Sequence, residues 1–276
     1  MENWARFRIS LGLLLPLAMT PAPTHPADNE HLKVELVSDT NSVSPGRPLW
    51  VGLHFEPEKQ WHIYWINPGD SGEPPRVTWY LPDGFQAGPI RWPAPMRLGS
   101  GTVIDYGYEE PVLLPVELRA PPNLEPGTTV TLAATVGWLV CRDICVPGKG
   151  DVTLSLPVQG PASTAVSSSH ELFQAARSRL PKPEPSAWKV DAIAEKDQFV
   201  LTVRARTATA KASFFPLDED QIDNSAPQTV SAFPGGVRLT LKKSDQLLKT
   251  PAALRGVLEL GPGRAYEVSA PVLQAP

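Results

Sequence analysis

Only two cysteines occur in 276 residues, Cys141 and Cys145, so no network of disulfides staples this fold. Neither lies near the N-terminus, which excludes a lipid-modified N-terminal cysteine. The formal net charge is −4 and no basic cluster stands out. That argues against nucleic acid and against an anionic membrane surface as partners. Past residue 27 no apolar run approaches membrane length. No β-α-β alternation is visible, so a thioredoxin fold around the cysteines is not expected. What the chain does have is proline, 32 residues against 20 glycines. Such a load disfavours long helices and suits short strands joined by turns.

The N-terminus reads as an export signal over residues 1–27. Arg6 and Arg8 form a charged start, and Ile9 to Met19 is an apolar run too short to span a bilayer comfortably. A small-residue zone follows, with cleavage expected near Ala22 or Ala27. A short buried helix or an uncleaved anchor are the alternatives. With the signal removed, the chain is expected outside the cytoplasm, where a dithiol can be oxidised.

From Leu32 to Val158 the pattern is that of β-strands. Apolar residues alternate with polar ones over Leu32–Leu36, Leu49–Phe55 and Asp151–Val158, and Trp61–Ile66, Val77–Leu81, Pro111–Leu118 and Thr128–Val140 continue the series of strands. Turn signals separate them, notably Ser44-Pro45-Gly46 and the dense Asn67-Pro68-Gly69-Asp70-Ser71-Gly72. Ser163 to Leu180 carries helical spacing, with Ser167, Ser168 or Ser169 as the cap and prolines at 181, 183 and 185 ending it. A second β pattern runs from Trp188 to Val272. Its acid run (Asp218, Glu219, Asp220, Asp223) is expected to be a solvated loop, with a calcium site the lesser alternative. The expected architecture is all-β: two immunoglobulin-like β-sandwich domains, 28–158 and 187–276, joined by a linker at 159–186 containing one helix.

The cysteines sit in Trp138-Leu139-Val140-Cys141-Arg142-Asp143-Ile144-Cys145-Val146-Pro147-Gly148. This reads as a strand, a tight bend carrying both thiols and punctuated by Pro147-Gly148, and a return strand. A bond between them closes a very small ring. Chain entropy assigns such a ring roughly 2 kcal/mol, against about 4.7 for a loop of about 100 residues. A staple would normally close more chain, whereas a short accessible bond suits being broken and remade. Three readings of the pair stand: a structural disulfide pinning a hairpin, a redox pair, and a copper site, since thiolates select Cu(I).

Several stretches fit together around that hairpin: Trp61-His62-Ile63-Tyr64-Trp65-Ile66-Asn67-Pro68-Gly69-Asp70-Ser71-Gly72, Leu81-Pro82-Asp83-Gly84-Phe85, Gly88-Pro89-Ile90-Arg91-Trp92-Pro93, Tyr106-Gly107-Tyr108, and Leu113-Leu114-Pro115-Val116. With the cysteine segment, this set resembles the N-terminal periplasmic region of the DsbD-type thiol:disulfide interchange proteins. It is most similar to the ScsB-like branch, with two β-domains and a link to copper tolerance. The likeness is stronger in the first domain than in the second, where Phe215-Pro216-Leu217 and Ala226-Pro227-Gln228 carry it.

The resemblance implies a redox role, with no organic cofactor or metal required. Cys141 and Cys145 would form the dithiol that accepts electrons and passes them to oxidised periplasmic thiol-disulfide proteins, a theme that includes cytochrome c biogenesis. Cys145 would be the attacking thiol. A capping loop is implied between Met96 and Tyr108, with Tyr106 and Tyr108 as its aromatic candidates. Tyr64 and His62 lie on a strand that could approach the pair. The family's membrane conduit and terminal thioredoxin-like part are not seen before Pro276, so a separate chain is expected to supply the electrons. Two other hypotheses remain: an adaptor with a permanent disulfide, and a Cu(I)-binding protein with Met96 or His62 as third ligand.

Overall fold

The computed structural model describes residues 27–99, 101–160, 165–205, 211–261 and 263–275. The expected leader, including Arg6, Arg8, the apolar run and the Ala22 cleavage position, lies outside the described residues. Ala27, the other cleavage candidate, opens a short strand, Ala27–Asn29, paired antiparallel with Leu32–Ser38. No helix among the described residues is long and apolar enough to cross a membrane.

Among the described residues the chain is all-β with one helix. Strand alternation decides which side chains face inward. In Thr129–Cys141, every second residue from Val130 to Val140 is buried. Its partner Cys145–Pro157 buries Val152, Leu154 and Leu156. The two strands pair antiparallel without a break from Thr129↔Pro157 to Cys141↔Cys145, and Arg76–Tyr80 covers the other edge of Thr129–Cys141. A second sheet runs in the order Ala27–Asn29, Leu32–Ser38, Pro48–Pro57, Val112–Arg119, Gln86–Ile90. Its inward residues Leu36, Leu53 and Leu114 share one core with Leu132, Val136 and Leu154, which makes a sandwich. A small third sheet, Ile63–Gly69 with Asp105–Tyr108 and Met96–Leu98, abuts it.

The bend of the cysteine hairpin is Arg142–Ile144. Pro147 and Gly148, expected to punctuate the join, lie inside the return strand. That strand is at the sheet edge, so the N–H that proline lacks would have faced away from the ladder. Gly148 is required by its partner: a Cβ there would stand 2.2 Å from the Trp138 indole nitrogen.

The helix is His170–Arg179, shorter than expected. Ser163 lies outside the described residues. Val166 and Ser167 are tied instead to the first sandwich, by a bridge to Thr40 and by a hydrogen bond from the Ser167 N–H to the Asp39 carbonyl. Ser169 occupies the cap position without a side-chain capping bond; the Ser167 hydroxyl accepts its N–H. Phe173 and Ala176 pack on Val37 and Leu113 of the five-stranded sheet, outside the main core.

The second sheet system runs in the order Ser213–Pro216, Ala253–Glu259, Ala265–Gln274, Lys189–Ala194, Gln198–Arg204, Gly236–Lys242, Thr229–Phe233, and Lys182–Pro183 pairs with Ala265–Gln274. It has its own core around Phe199, Leu201, Leu239 and Leu258. Phe215, Val257 and Ala265, however, belong to the core of the first sandwich. The acid run is not a purely solvated loop. Asp218 pairs with Arg255 and Asp223 with Lys242, while Gln221, Ile222 and Asn224 are buried. Cations on neighbouring strands neutralise the carboxylates, and the apolar and amide residues between them turn inward.

Candidate functional site

Cys141 ends one strand and Cys145 begins the next, and they face each other across the hairpin with Cα atoms 4.1 Å apart. They are joined by a disulfide. The two sulfur-bearing residues differ in environment. Cys141 is 2% exposed, whereas Cys145 is exposed, next to an Ile144 that is 66% exposed. The asymmetry follows from the register. Cys141 is sandwiched between Cys145 on one side and His62 on the other, exchanging backbone hydrogen bonds of 2.9 and 3.0 Å with His62. Cys145 is on the edge strand and has no such neighbour.

The bend itself is polar. Arg142 Nε donates to Asp143 Oδ2 at 3.0 Å, and its guanidinium lies 5.3 Å from the Trp61 ring centroid. Trp61 in turn stacks on His31 at 3.7 Å. Arg142 is therefore held by its neighbour and by an aromatic face.

Behind the disulfide lies a buried polar group. The Tyr64 hydroxyl is 3.6 Å from Cys145 Sγ. Burial, with the Asp105 carboxylate adding to it, pushes the phenol up to about 12. The hydroxyl thus stays protonated and remains a donor near neutral pH. His62 meets Tyr64 edge-on at 5.1 Å, and its Nε2 lies 3.9 Å from Asp105 Oδ2 without a hydrogen bond. Desolvation lowers the imidazole below its ordinary value against the opposing pull of Asp105 and Glu109. Burial raises Asp105, while hydrogen bonds from Ser71 oppose the rise. Ser71 donates to Asp105 Oδ1 from its N–H at 3.0 Å and from its hydroxyl at 2.9 Å.

Gly72 completes this arrangement. Its φ of +81° belongs to the region glycine tolerates, and a Cβ would stand 2.1 Å from the Tyr64 ring. The ring occupies the space a side chain would take. Asp105, Ser71 and Gly72 were not singled out by sequence reasoning. The turn cluster Asn67–Gly72 was visible, but nothing local announced a partner 34 residues away.

The other expected residues fall as follows. Tyr106 and Tyr108, the candidates for a capping role, are both buried within Asp105–Tyr108. The Tyr106 hydroxyl donates to Asn224 Oδ1 at 2.8 Å, and that of Tyr108 donates to the Pro93 carbonyl at 2.7 Å. Neither hydroxyl is directed at a sulfur. Met96 is exposed on the strand Met96–Leu98. Among the described residues, Glu35, His54 and Glu56 come close enough to share a cation. Lys33 already sits between the two carboxylates, at 3.0 and 3.1 Å, so this is an ion-pair network on the sheet surface.

Chemically, an exposed cysteine bonded to a buried one at a hairpin tip, backed by a protonated phenol, is an arrangement suited to thiol–disulfide exchange. Comparisons with known proteins bear on this. The family model "Thiol:disulfide interchange protein DsbD, N-terminal" matches residues 28–157, a span that includes both cysteines. Among solved structures the chain is similar to the N-terminal periplasmic domain of ScsB from Proteus mirabilis. The TM-score is 0.65 and the identity 17%, over 90% of this chain and 95% of that one. It also matches a protein of unknown function from Porphyromonas gingivalis W83, at 13% identity over 86% of this chain and 99% of that one, with a TM-score of 0.24. No curated protein matches. The likeness to the Proteus mirabilis domain is one of fold and extends into the second sandwich. The family match, with the paired cysteines on its closing hairpin, places residues 28–157 in the DsbD N-terminal domain family.

Proposed function

We propose that this chain is a periplasmic thiol–disulfide exchange module that relays electrons through Cys141 and Cys145 to oxidised partner proteins. The observation that carries the reading is the asymmetry of the pair: Cys145 is exposed and Cys141 buried directly behind it. In the reduced form the Cys145 thiolate attacks a partner's disulfide, forming a mixed disulfide and releasing one partner thiolate. The Cys141 thiolate then attacks Cys145 Sγ and releases the second. The partner gains two electrons and two protons, and the Cys141–Cys145 disulfide is left behind. A membrane electron conduit on a separate chain would restore the dithiol. Tyr64 donates a hydrogen bond to whichever charge rests on Cys145. In this reading residues 1–27 direct export, 28–158 and 187–276 are the two domains, and 159–186 link them.

A permanent staple is the weaker alternative on physical grounds. The bond joins residues already paired at the end of a thirteen-residue ladder, so it adds little order to the fold. The experiment is mass spectrometry of single-cysteine variants mixed with a disulfide-bonded partner. Cys141→Ala should trap a mixed disulfide through Cys145, and Cys145→Ala should trap far less. If neither does, exchange is not the function.

A further inference from the structure

Beside the apolar packing of Phe215, Val257 and Ala265 on the first core, several hydrogen bonds between the second sandwich and the first gather at the loop that braces the disulfide. Asn224, buried in the loop that follows Ser213–Pro216, makes three of them. Its Oδ1 accepts the Tyr106 hydroxyl at 2.8 Å, its Nδ2 donates to Asp70 Oδ1 at 2.8 Å, and its carbonyl accepts from Arg97. Asp70 is anchored on its other side. Its Oδ2 accepts the Ile104 N–H at 2.7 Å, and its own N–H donates to the Ile104 carbonyl at 3.0 Å. The next residue, Ser71, holds Asp105. The one after it, Gly72, seats the Tyr64 ring. Three consecutive residues thus run from Asn224 to the ring whose hydroxyl touches Cys145. The strand carrying Tyr64 is pinned at its far end too: Asn67 Nδ2 donates to the Pro216 carbonyl at 2.8 Å.

A buried amide with both polar ends satisfied across an interface fixes geometry, because leaving either end unpaired is costly. We propose that Asn224 is a positioning residue for the cysteine pair. Through Asp70, Ser71 and Gly72 it sets the place of the Tyr64 hydroxyl, and with it the acidity of Cys145. The second sandwich is then a working part of the redox site rather than a spacer. The inference rests on the reading that Cys145 is the thiol presented to partners. Among the described residues the ionisable groups around the pair include Arg142 and Asp143 on the bend, Tyr64 on the neighbouring strand with His62 just before it, and Asp105 and Glu109, which act on His62. Asn224 reaches Tyr64 and Asp105 through the brace; its own contacts are with Tyr106, Asp70 and Arg97 rather than with the bend.

The test is the pH profile of iodoacetamide alkylation at Cys145, in the full chain carrying Cys141→Ala. Tyr64→Phe and Asn224→Ala are each expected to raise the midpoint and slow alkylation at pH 7 about tenfold or more, the scale of a lost hydrogen bond to a charged group. The double variant should be no slower than the slower single, because both act through one contact. Fully additive effects overturn the proposal. So does an Asn224→Ala protein that melts earlier with an unchanged alkylation profile. Should Asn224→Ala not fold, Tyr106→Phe removes one hydroxyl from the same amide. It must then shift the midpoint the same way by a smaller amount, and an unchanged profile overturns the proposal. Alkylation needs no partner protein, so this outcome is separate from mixed-disulfide trapping. Coupling without trapping would leave the positioning role standing and remove the exchange function.

Discussion

The Tyr64 phenol oxygen lies 3.6 Å from the sulfur of Cys145, approaching the exposed sulfur from within the protein. In the disulfide that sulfur is a weak acceptor. On reduction it becomes a thiolate, a much stronger one. The contact therefore favours the reduced form. Tyr64→Phe keeps the ring seated on Gly72 and deletes the donor. A hydrogen bond to a charged group is worth about 1.5–3 kcal/mol, and 30 mV corresponds to about 1.4 kcal/mol for a two-electron couple. The variant's reduction potential should fall by roughly 30–60 mV. Equilibration with dithiothreitol and thiol counting by mass spectrometry would measure it. An unchanged potential would mean the hydroxyl does not see the thiolate.

Gly72→Ala attacks the same contact from the other side. The new Cβ would collide with the Tyr64 ring at 2.1 Å, on a backbone whose φ is +81°. Left-handed backbone strain and overpacking each cost about 1–3 kcal/mol. The variant is expected to unfold at lower urea concentration. Its potential should move in the direction of Tyr64→Phe, because the ring is displaced. A destabilised protein with the parental potential would show that the ring's seat does not govern the site.

The cysteine hairpin was legible because its signal is local. Alternation from Val130 to Val140 and a four-residue spacing place both thiols at one tip. The bend falls on the thiols as expected, but Pro147-Gly148 does not punctuate the join, although those residues break structure in most settings. Here an edge strand tolerates the proline, and the Trp138 indole requires the glycine. Tyr64 could be placed on a neighbouring strand, but Asp105, Ser71 and Gly72 could not be joined to it. Ser71 meets Asp105 on a strand 34 residues further on, and the Gly72 seat for the Tyr64 ring depends on the fold of that turn. The acid run misled for a similar reason. Asp218 and Asp223 look solvated in sequence, but their cations, Arg255 and Lys242, come from other strands. Asn224 carries no periodic signal at all.

Two histidines, His54 buried and His62 half-buried, set a pH dependence. Desolvation lowers both His54 and His62 below the ordinary value of 6.5. Between 6.5 and those lower values the unfolded chain binds protons that the folded chain does not. Stability should therefore fall as pH drops through that window and level off beneath it. Each histidine contributes a slope of at most about 1.4 kcal/mol per pH unit. Asp105 opposes this at the acid end, since its raised value makes the folded state hold its proton longer. Urea unfolding of the parent and of a His54→Gln, His62→Gln double variant should show a steeper loss in the parent between pH 6.5 and 5. Equal slopes would mean that these imidazoles titrate as they do in the unfolded chain.

The helix offers a contrast that separates fold from site. Phe173 is fully buried, but its cluster (Val37, Leu113 and Ala176, with Trp50 and Leu172) is apart from the main core. Phe173→Ala should cost about 3 kcal/mol, at the low end for a buried phenylalanine because the cavity borders solvent and can relax. The helix is further held by Asp39, which pairs with His170 at 2.7 Å and with Arg177 at 2.6 Å, so it should loosen without leaving the sheet. None of these contacts includes the brace that runs from Asn224 to Tyr64. The reduction potential of Phe173→Ala should therefore match the parent, even as its urea midpoint falls. A potential that tracks stability in this variant would mean that the disulfide responds to the global fold rather than to its local brace.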